Sequence, residues 1–299
     1  MVRTSVIIPT RDGRGPLRAC LRALVPSFPA DAETIVVADG CAVDSGSVVA
    51  DFCGPLRLRW IQAPHGGPAA ARNLGLAAAR GEIAAFTDDD CRPRPGWVRA
   101  LAEGVALSPP RAAGGTTFNG RVANAYADAA QVVLDLVARH DLATYGEERF
   151  FPCNNCAFPV APLRELGGFD ESFRTAEDRE LCRRWRQAGY LLRLVPAAIV
   201  DHDADPDLRE FVRRFFAYGR GAARFHATGS GGSLRETAAF HFRLPALLGP
   251  ELTRRGPWRG TALVALLAVW EIANLAGFLA ETVGRSTHGE PPGDGTRLP

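Results

Sequence analysis

Along roughly the first ninety residues, short runs of β-branched and apolar residues alternate with longer segments of helical period. The runs Val6 to Pro9, Thr34 to Val37, Leu58 to Gln62 and Ile83 to Phe86 predict strands, each closed by a polar, Gly or Pro turn. Between the last two, Gly66-Gly67-Pro68 leads into an alanine-rich run to Ala79. This predicts a helix with Pro at its first position and Gly81 as its stop. Strands joined by crossover helices make a mostly parallel sheet, an α/β nucleotide-binding pattern. Further on, Phe169-Asp170-Glu171 precedes a predicted helix that opens at Glu177, carries Leu181 and Trp185 on one face and ends near Gly189.

Beyond Asp205 the pattern changes. Phe211 to Phe225 is aromatic and basic, with Arg213, Arg214, Arg220 and Arg224; a proline-rich stretch follows, and then the strongly apolar segment 261–280. That segment is about long enough to cross a bilayer, yet carries Glu271 and Asn274 near its middle, so it reads as a transmembrane or interfacial helix. Arg254, Arg255 and Arg259 precede it, and under the positive-inside rule they keep the rest of the chain on the cytoplasmic face of the membrane. The expected division is a catalytic domain over 1–228, a helical appendage over 229–284 and a disordered Gly- and Pro-rich tail over 285–299.

Composition narrows the function classes. The 299 residues carry 35 basic and 33 acidic side chains, a formal charge of +2 that supports no nucleic-acid partner. The chain opens directly on a strand, and its 7 cysteines are scattered. Both features point to a reducing, cytoplasmic setting. Cys153 and Cys156 have the spacing of half a zinc site without a second pair, which favours buried thiols.

Candidate chemistry gathers at strand ends. Asp88, Asp89 and Asp90 follow Ile83 to Phe86 at the carboxyl edge of the sheet, where open α/β folds bind ligands. Adjacent carboxylates repel, and a hard divalent cation such as Mn²⁺ or Mg²⁺ relieves that repulsion. In an extended segment, positions 88 and 90 would face the same side and address one ion. The bland alternatives are a solvated acidic turn, or a helix start in which Thr87 caps and Asp90 closes a capping box, the helix being opposed by Pro93 and Pro95. Asp39 ends the second strand and reads either as a ribose or base acceptor or as an Asp-Gly turn. Glu177 and Asp178 fit a capping box from Thr175, a role compatible with catalysis. His202, between Asp201 and Asp203, reads as a metal ligand, a phosphate donor or a structural histidine.

Taken together, these motifs resemble the family 2 glycosyltransferases over roughly the first 225 positions. The resembling segments are Ser5-Val6-Ile7-Ile8-Pro9-Thr10, Ile35-Val36-Val37-Ala38-Asp39-Gly40, Gly67 through Asn73, Phe86 through Asp90, and Gly167-Gly168-Phe169-Asp170-Glu171. The resemblance implies a GT-A type α/β/α sandwich that transfers a sugar, with inversion, from a nucleotide-diphosphate sugar to an acceptor hydroxyl. It further implies Asp178 as general base with Glu177 beside it, Asp88 and Asp90 flanking the metal and diphosphate, and His202 near the donor phosphates. With His202 also read as a ligand, the metal set is Asp88, Asp90 and His202, and the acceptor-side positions are Asn155 and Trp185. Pro9, Arg11, Asp12, Asp39, Arg72, Asn73, Asp88 and Asp89 become the donor-side positions. Ala38, Cys41, Asp12 and the Pro159-Val160 pair depart from the family pattern and leave donor identity open. The acceptor is equally open between a lipid carrier, a glycan and a small molecule. A sugar-phosphate nucleotidyltransferase, with Arg11-Asp12-Gly13-Arg14-Gly15 as its loop, and a catalytically silent binding protein of the same fold are the rival readings. A nicotinamide dehydrogenase is disfavoured, because Gly13-Arg14-Gly15-Pro16-Leu17-Arg18 lacks the third glycine of the dinucleotide fingerprint.

Overall fold

A computed structural model describes residues 2–11, 13–41, 46–146, 150–228 and 234–287. The chain divides into two compact units, residues 1–120 with 145–204 and residues 121–144 with 205–299. In the first unit the elements run β1 (Thr4–Thr10), α1 (Arg14–Leu24), β2 (Ala32–Asp39), α2 (Gly46–Ala50), β3 (Leu58–Ala63), α3 (Pro68–Ala78), β4 (Ile83–Phe86), β5 (Cys91–Pro93), α4 (Trp97–Gly104), β6 (Ala106–Leu107) and β7 (Pro110–Asn119). After α5 (Ala125–Tyr145), most of which belongs to the second unit, come β8 (Cys156–Pro159), α6 (Val160–Glu165), α7 (Glu177–Gln187) and β9 (Leu191–His202). The predicted strands and the alanine-rich helix fall where the hydrophobic pattern puts them.

The sheet order is β3-β2-β1-β4-β8-β7-β9-β5, with β6 paired to β7. β3, β2, β1 and β4 are mutually parallel, whereas β8 runs antiparallel to both β4 and β7. Central strands buried on both faces need continuous apolar runs, and Val6, Ile7, Ile8, Ile35, Val36 and Val37 are fully buried. One face packs against Leu17, Leu21, Trp97 and Leu101, the other against Leu76, Phe169, Leu181 and Trp185, giving a helix layer on each side. This is the α/β/α sandwich that the family resemblance implies.

Trp97 and Trp185 anchor the two layers, and each finds an acceptor for its indole N–H, as buried indoles require. Trp97 Nε1 donates to Asn155 Oδ1 at 2.8 Å, and Trp185 Nε1 to the Leu191 carbonyl at 2.9 Å. Asn155 Nδ2 in turn donates to the carbonyls of Thr116 and Ala198, tying β8, β7, β9 and α4 together. The acceptor-side expectation for Asn155 and Trp185 is therefore corrected. Both are fully buried with their polar atoms engaged, so neither side chain presents a surface to a substrate.

The second unit holds α5, α8 (Leu208–Ala227) and α9 (Leu234–Thr287), the last being two helical segments that meet at Gly256. Its core joins Val133 and Leu136 of α5 to Phe211 and Phe215 of α8 and to Phe240, Leu244, Leu263, Leu267 and Trp270 of α9. Residues 285–287, expected in a disordered tail, lie in α9; residues 288–299 fall outside the described part.

Candidate functional site

The carboxyl ends of β1, β2 and β4 carry the site, and the aspartate run after β4 is the centre of it. Instead of extending, the chain turns there, with the Cys91 N–H donating to the Asp88 carbonyl at 3.1 Å. Turning separates carboxylates that an extended segment would align, and each is held by a different partner. Asp88 accepts from Arg72 Nη2 at 2.8 Å, Asp89 from the Thr10 hydroxyl at 2.5 Å, and Asp90 Oδ2 lies 3.1 Å from His202 Nε2. Burial pushes the Asp89 carboxyl up to about 7. Asp88 and Asp90 keep 32% and 29% side-chain exposure, so both face the open edge of the sheet.

β-Sheet register explains how residues so distant in sequence meet. Cys91 on β5 pairs with His202 on β9 in antiparallel register, and the Asp203 N–H donates to the Asp90 carbonyl. Among the described residues, the acidic, thiol and imidazole groups close enough to share an ion are Asp90, Cys91 and His202, with ligand atoms within 4.8 Å of one another. Asp88 is not in that group, because it turns toward the Arg72 guanidinium. Cys91 is fully buried, which raises its thiol well above the ordinary range, and its Sγ donates toward Asp90. The groups left to address a divalent cation are thus one carboxylate and one imidazole.

Arg72 is the electrostatic hub of the site. It is buried on α3, and while one arm reaches Asp88, Nη1 donates to Glu177 Oε1 at 2.7 Å. Glu177 and Asp178 open α7 after Ala176, whose backbone is left-handed at φ 68°. A non-glycine residue in that region costs on the order of 1–3 kcal/mol. The N-cap position of α7 is Ala176, whose side chain has no polar atom to cap with. Burial and the neighbouring Asp178 push Glu177 up to about 7 against the pull of Arg72. Burial likewise raises Asp178 above the ordinary aspartate value, opposed by Arg179. Asp178 retains partial exposure, which Glu177 at 8% largely lacks.

These charges make a stability prediction. Replacing Arg72 by Met strands a buried carboxylate, and removing one partner of such a pair costs about 3–5 kcal/mol. A carboxyl raised to about 7 in the folded state holds its proton more tightly there than when unfolded. Its contribution is complete below the unfolded value and is lost as pH rises through about 7. The loss in Arg72→Met, read from urea midpoints, is therefore smaller on the acid side of that titration than on the alkaline side.

The remaining donor-side positions divide. Asp39 accepts from the Gly66 N–H at 2.6 Å, the Gly67 N–H at 3.0 Å and His65 Nδ1 at 2.8 Å, so it fastens the loop that starts α3. Gly40 makes this approach feasible: it sits at φ +66°, and a Cβ there would strike His65. Asn73 clamps the turn before α7, exchanging hydrogen bonds with the Phe169 backbone and donating to Glu171. Pro9 is partly buried on β1 and Arg11 is exposed just after it, while Asp12 lies outside the described residues. His65 was not singled out by sequence reasoning, although its place immediately after β3 at the ligand edge was a usable signal. Arg174, which donates to the Gly66 carbonyl at 2.8 Å, offered none.

The family model for glycosyl transferase family 2 matches residues 5–167, which contain β1 through β8 and the aspartate run. The chain belongs to glycosyltransferase family 2. The pre-mycofactocin glycosyltransferase of Mycobacterium tuberculosis is 35% identical over 233 residues, covering 73% of this chain and 46% of that protein. Probable glycosyltransferase YdaM of Bacillus subtilis is 29% identical, covering 66% of this chain and 50% of that protein. The chain thus spans about half the length of the curated relatives it matches. Among solved structures, the mannosyltransferase PcManGT of Pyrobaculum calidifontis, in complex with GDP-Man and Mn²⁺, has the same fold, with a TM-score of 0.64 at 19% identity over 96% of this chain and 88% of that one. The GT-A fold of this family 2 member is the framework on which the aspartate turn, Arg72 and α7 converge.

Proposed function

We propose that this chain is a metal-dependent, inverting glycosyltransferase that moves a sugar from a nucleotide-diphosphate donor to an acceptor hydroxyl. The observation that carries the reading is the network Asp88–Arg72–Glu177, which links the aspartate turn to α7 and sets a partly exposed Asp178 beside it. The fold likeness to a mannosyltransferase in complex with GDP-Man and Mn²⁺ supports the donor class.

In this reading Asp90 and His202 hold the cation, and Asp39 with His65 borders the nucleoside. A divalent cation bound there supplies Lewis-acid stabilisation to the departing diphosphate. Asp178 accepts the acceptor's hydroxyl proton as the new glycosidic bond forms at the anomeric carbon and the bond to the diphosphate breaks. Arg72 supports both events: it keeps Asp88 turned to the donor edge, and its positive charge limits the rise in Glu177, so that the Glu177–Asp178 pair can ionise near neutrality. A single displacement of this kind inverts the anomeric centre.

One assay tests the mechanism. The pair must shed a proton before Asp178 can act, and interacting carboxyls titrate as a unit. With Asp178 raised and Glu177 at about 7, kcat/KM should climb with pH along an acid limb above the ordinary carboxylate range and level off beyond neutrality. Nuclear magnetic resonance of the product should show the anomer opposite to the donor's. An acid limb at the ordinary aspartate value, or a product that retains the donor's configuration, contradicts this mechanism.

A further inference from the structure

The second unit carries a feature that sugar transfer does not use. From Trp258 to Val283, α9 presents outward Trp258, Ala265, Ala268, Ile272, Leu275 and Leu279, which recur at helical spacing along about 38 Å. Trp258 is 88% exposed and Ile272 70%. The inward face of the same segment is already occupied, with Leu263, Leu267, Trp270 and Ala273 in the helical core. Its two acids face partners: Glu281 pairs with Arg220 at 2.8 Å and Arg224 at 3.5 Å, and Glu271 with His241 at 2.8 Å. The outward stripe therefore carries no charge between its ends.

The ends are basic. Exposed Arg254 and Arg259 flank Trp258, and Arg285 follows Val283. An uncharged apolar face bounded by an exposed Trp and by arginines matches the interfacial zone of a bilayer whose headgroups are anionic. Crossing the bilayer is a different matter, because α8 is fastened to this segment. Gly219 lies against the Asn274 carbonyl and Gly277 against the Phe216 carbonyl, so closely that a Cβ at either would collide with backbone. Carried across with α9, α8 would bring the exposed Arg209, Arg213 and Arg220 toward hydrocarbon, which disfavours charged side chains.

We propose that the outward face of α9 between Trp258 and Val283 docks on the surface of an anionic lipid bilayer and lies along it without crossing. The proposal is independent of the sugar-transfer reading. Vesicle flotation of the full chain tests it, with phosphatidylcholine vesicles alone or mixed with phosphatidylserine. The chain should float with the mixed vesicles, float less with phosphatidylcholine alone, and be released by an alkaline carbonate wash. Its fluorescence should shift to shorter wavelength on binding, and Trp258→Phe should remove that shift. The variant Ile272→Gln/Leu275→Gln/Leu279→Gln changes exposed positions only and should lose flotation while keeping its circular dichroism and melting temperature. Three results would overturn the proposal: no flotation with either vesicle, retention through the alkaline wash, which indicates a spanning helix, or a wild-type dimer that the triple variant makes monomeric while wild type ignores vesicles.

Discussion

Asp178→Asn should lower kcat by about 10²–10⁴ while leaving donor KM close to wild type, because only the proton-accepting capacity at α7 is removed. Asparagine preserves the shape of the side chain and can still accept from the Arg179 N–H, which bonds Asp178 Oδ1 at 2.8 Å, so the helix start stays intact. Glu177→Gln gives the comparison. It weakens the Arg72 contact at 2.7 Å, loosens the tie to Asp88 and should harm donor binding as well as turnover. Should Asp178→Asn turn over normally while Glu177→Gln is inert, the base is Glu177 and the role of Arg72 as its positioning partner has to be redrawn.

Asp90→Ala and His202→Ala should each abolish the dependence of turnover on added Mn²⁺, with residual rates at or near the metal-free wild-type level. The geometry gives the reason: Asp90 Oδ2 and His202 Nε2 are 3.1 Å apart on neighbouring segments, and Cys91, the third group nearby, is buried and held protonated. Losing either member leaves a single donor, too few to retain a divalent ion against water. Asp88→Ala should behave differently, since Asp88 faces Arg72; donor KM should rise while the dependence on Mn²⁺ persists. Titration of Mn²⁺ against initial rate for the three variants separates these outcomes.

How much of this was legible in the residues depended on range. The parallel strands and α3 follow from local period and from Pro68 at a helix start, so hydrophobic pattern and turn chemistry located β3, β4 and α3 to within a residue and the middles of β1 and β2. The aspartate run was legible as a site because it ends an apolar strand. Its internal geometry was not, since alternation predicts an extended segment while the turn is fixed by partners far away in sequence: Thr10, Arg72 and His202. Asn155 and Trp185 failed for the same reason. A buried asparagine that serves an indole N–H and two strand carbonyls looks, in sequence, like any polar residue ahead of a strand. The left-handed turn at Ala176 sets Glu177 toward Arg72, a contact across 105 positions that local sequence does not announce.

The helical unit shows the opposite balance. Its apolar segment announced itself in composition, but hydropathy cannot tell a face from a cylinder. The packing of α8 through Gly219 and Gly277 makes that distinction, leaving one side of α9 apolar and exposed while the other completes a core.

The central claim is that the carboxyl edge of the sheet binds a nucleotide-sugar donor through a cation held at Asp90 and His202. Its most direct test is the melting temperature of the purified chain with UDP, GDP or dTDP, each with and without Mn²⁺, beside Asp90→Ala. A ligand that binds only the folded protein raises that temperature by mass action, by an amount set by its concentration relative to Kd. The account predicts a rise with one of these nucleotides that requires Mn²⁺ and disappears in Asp90→Ala. A folded wild-type sample whose melting temperature none of them moves, or a rise that is the same without Mn²⁺ and in the variant, contradicts it.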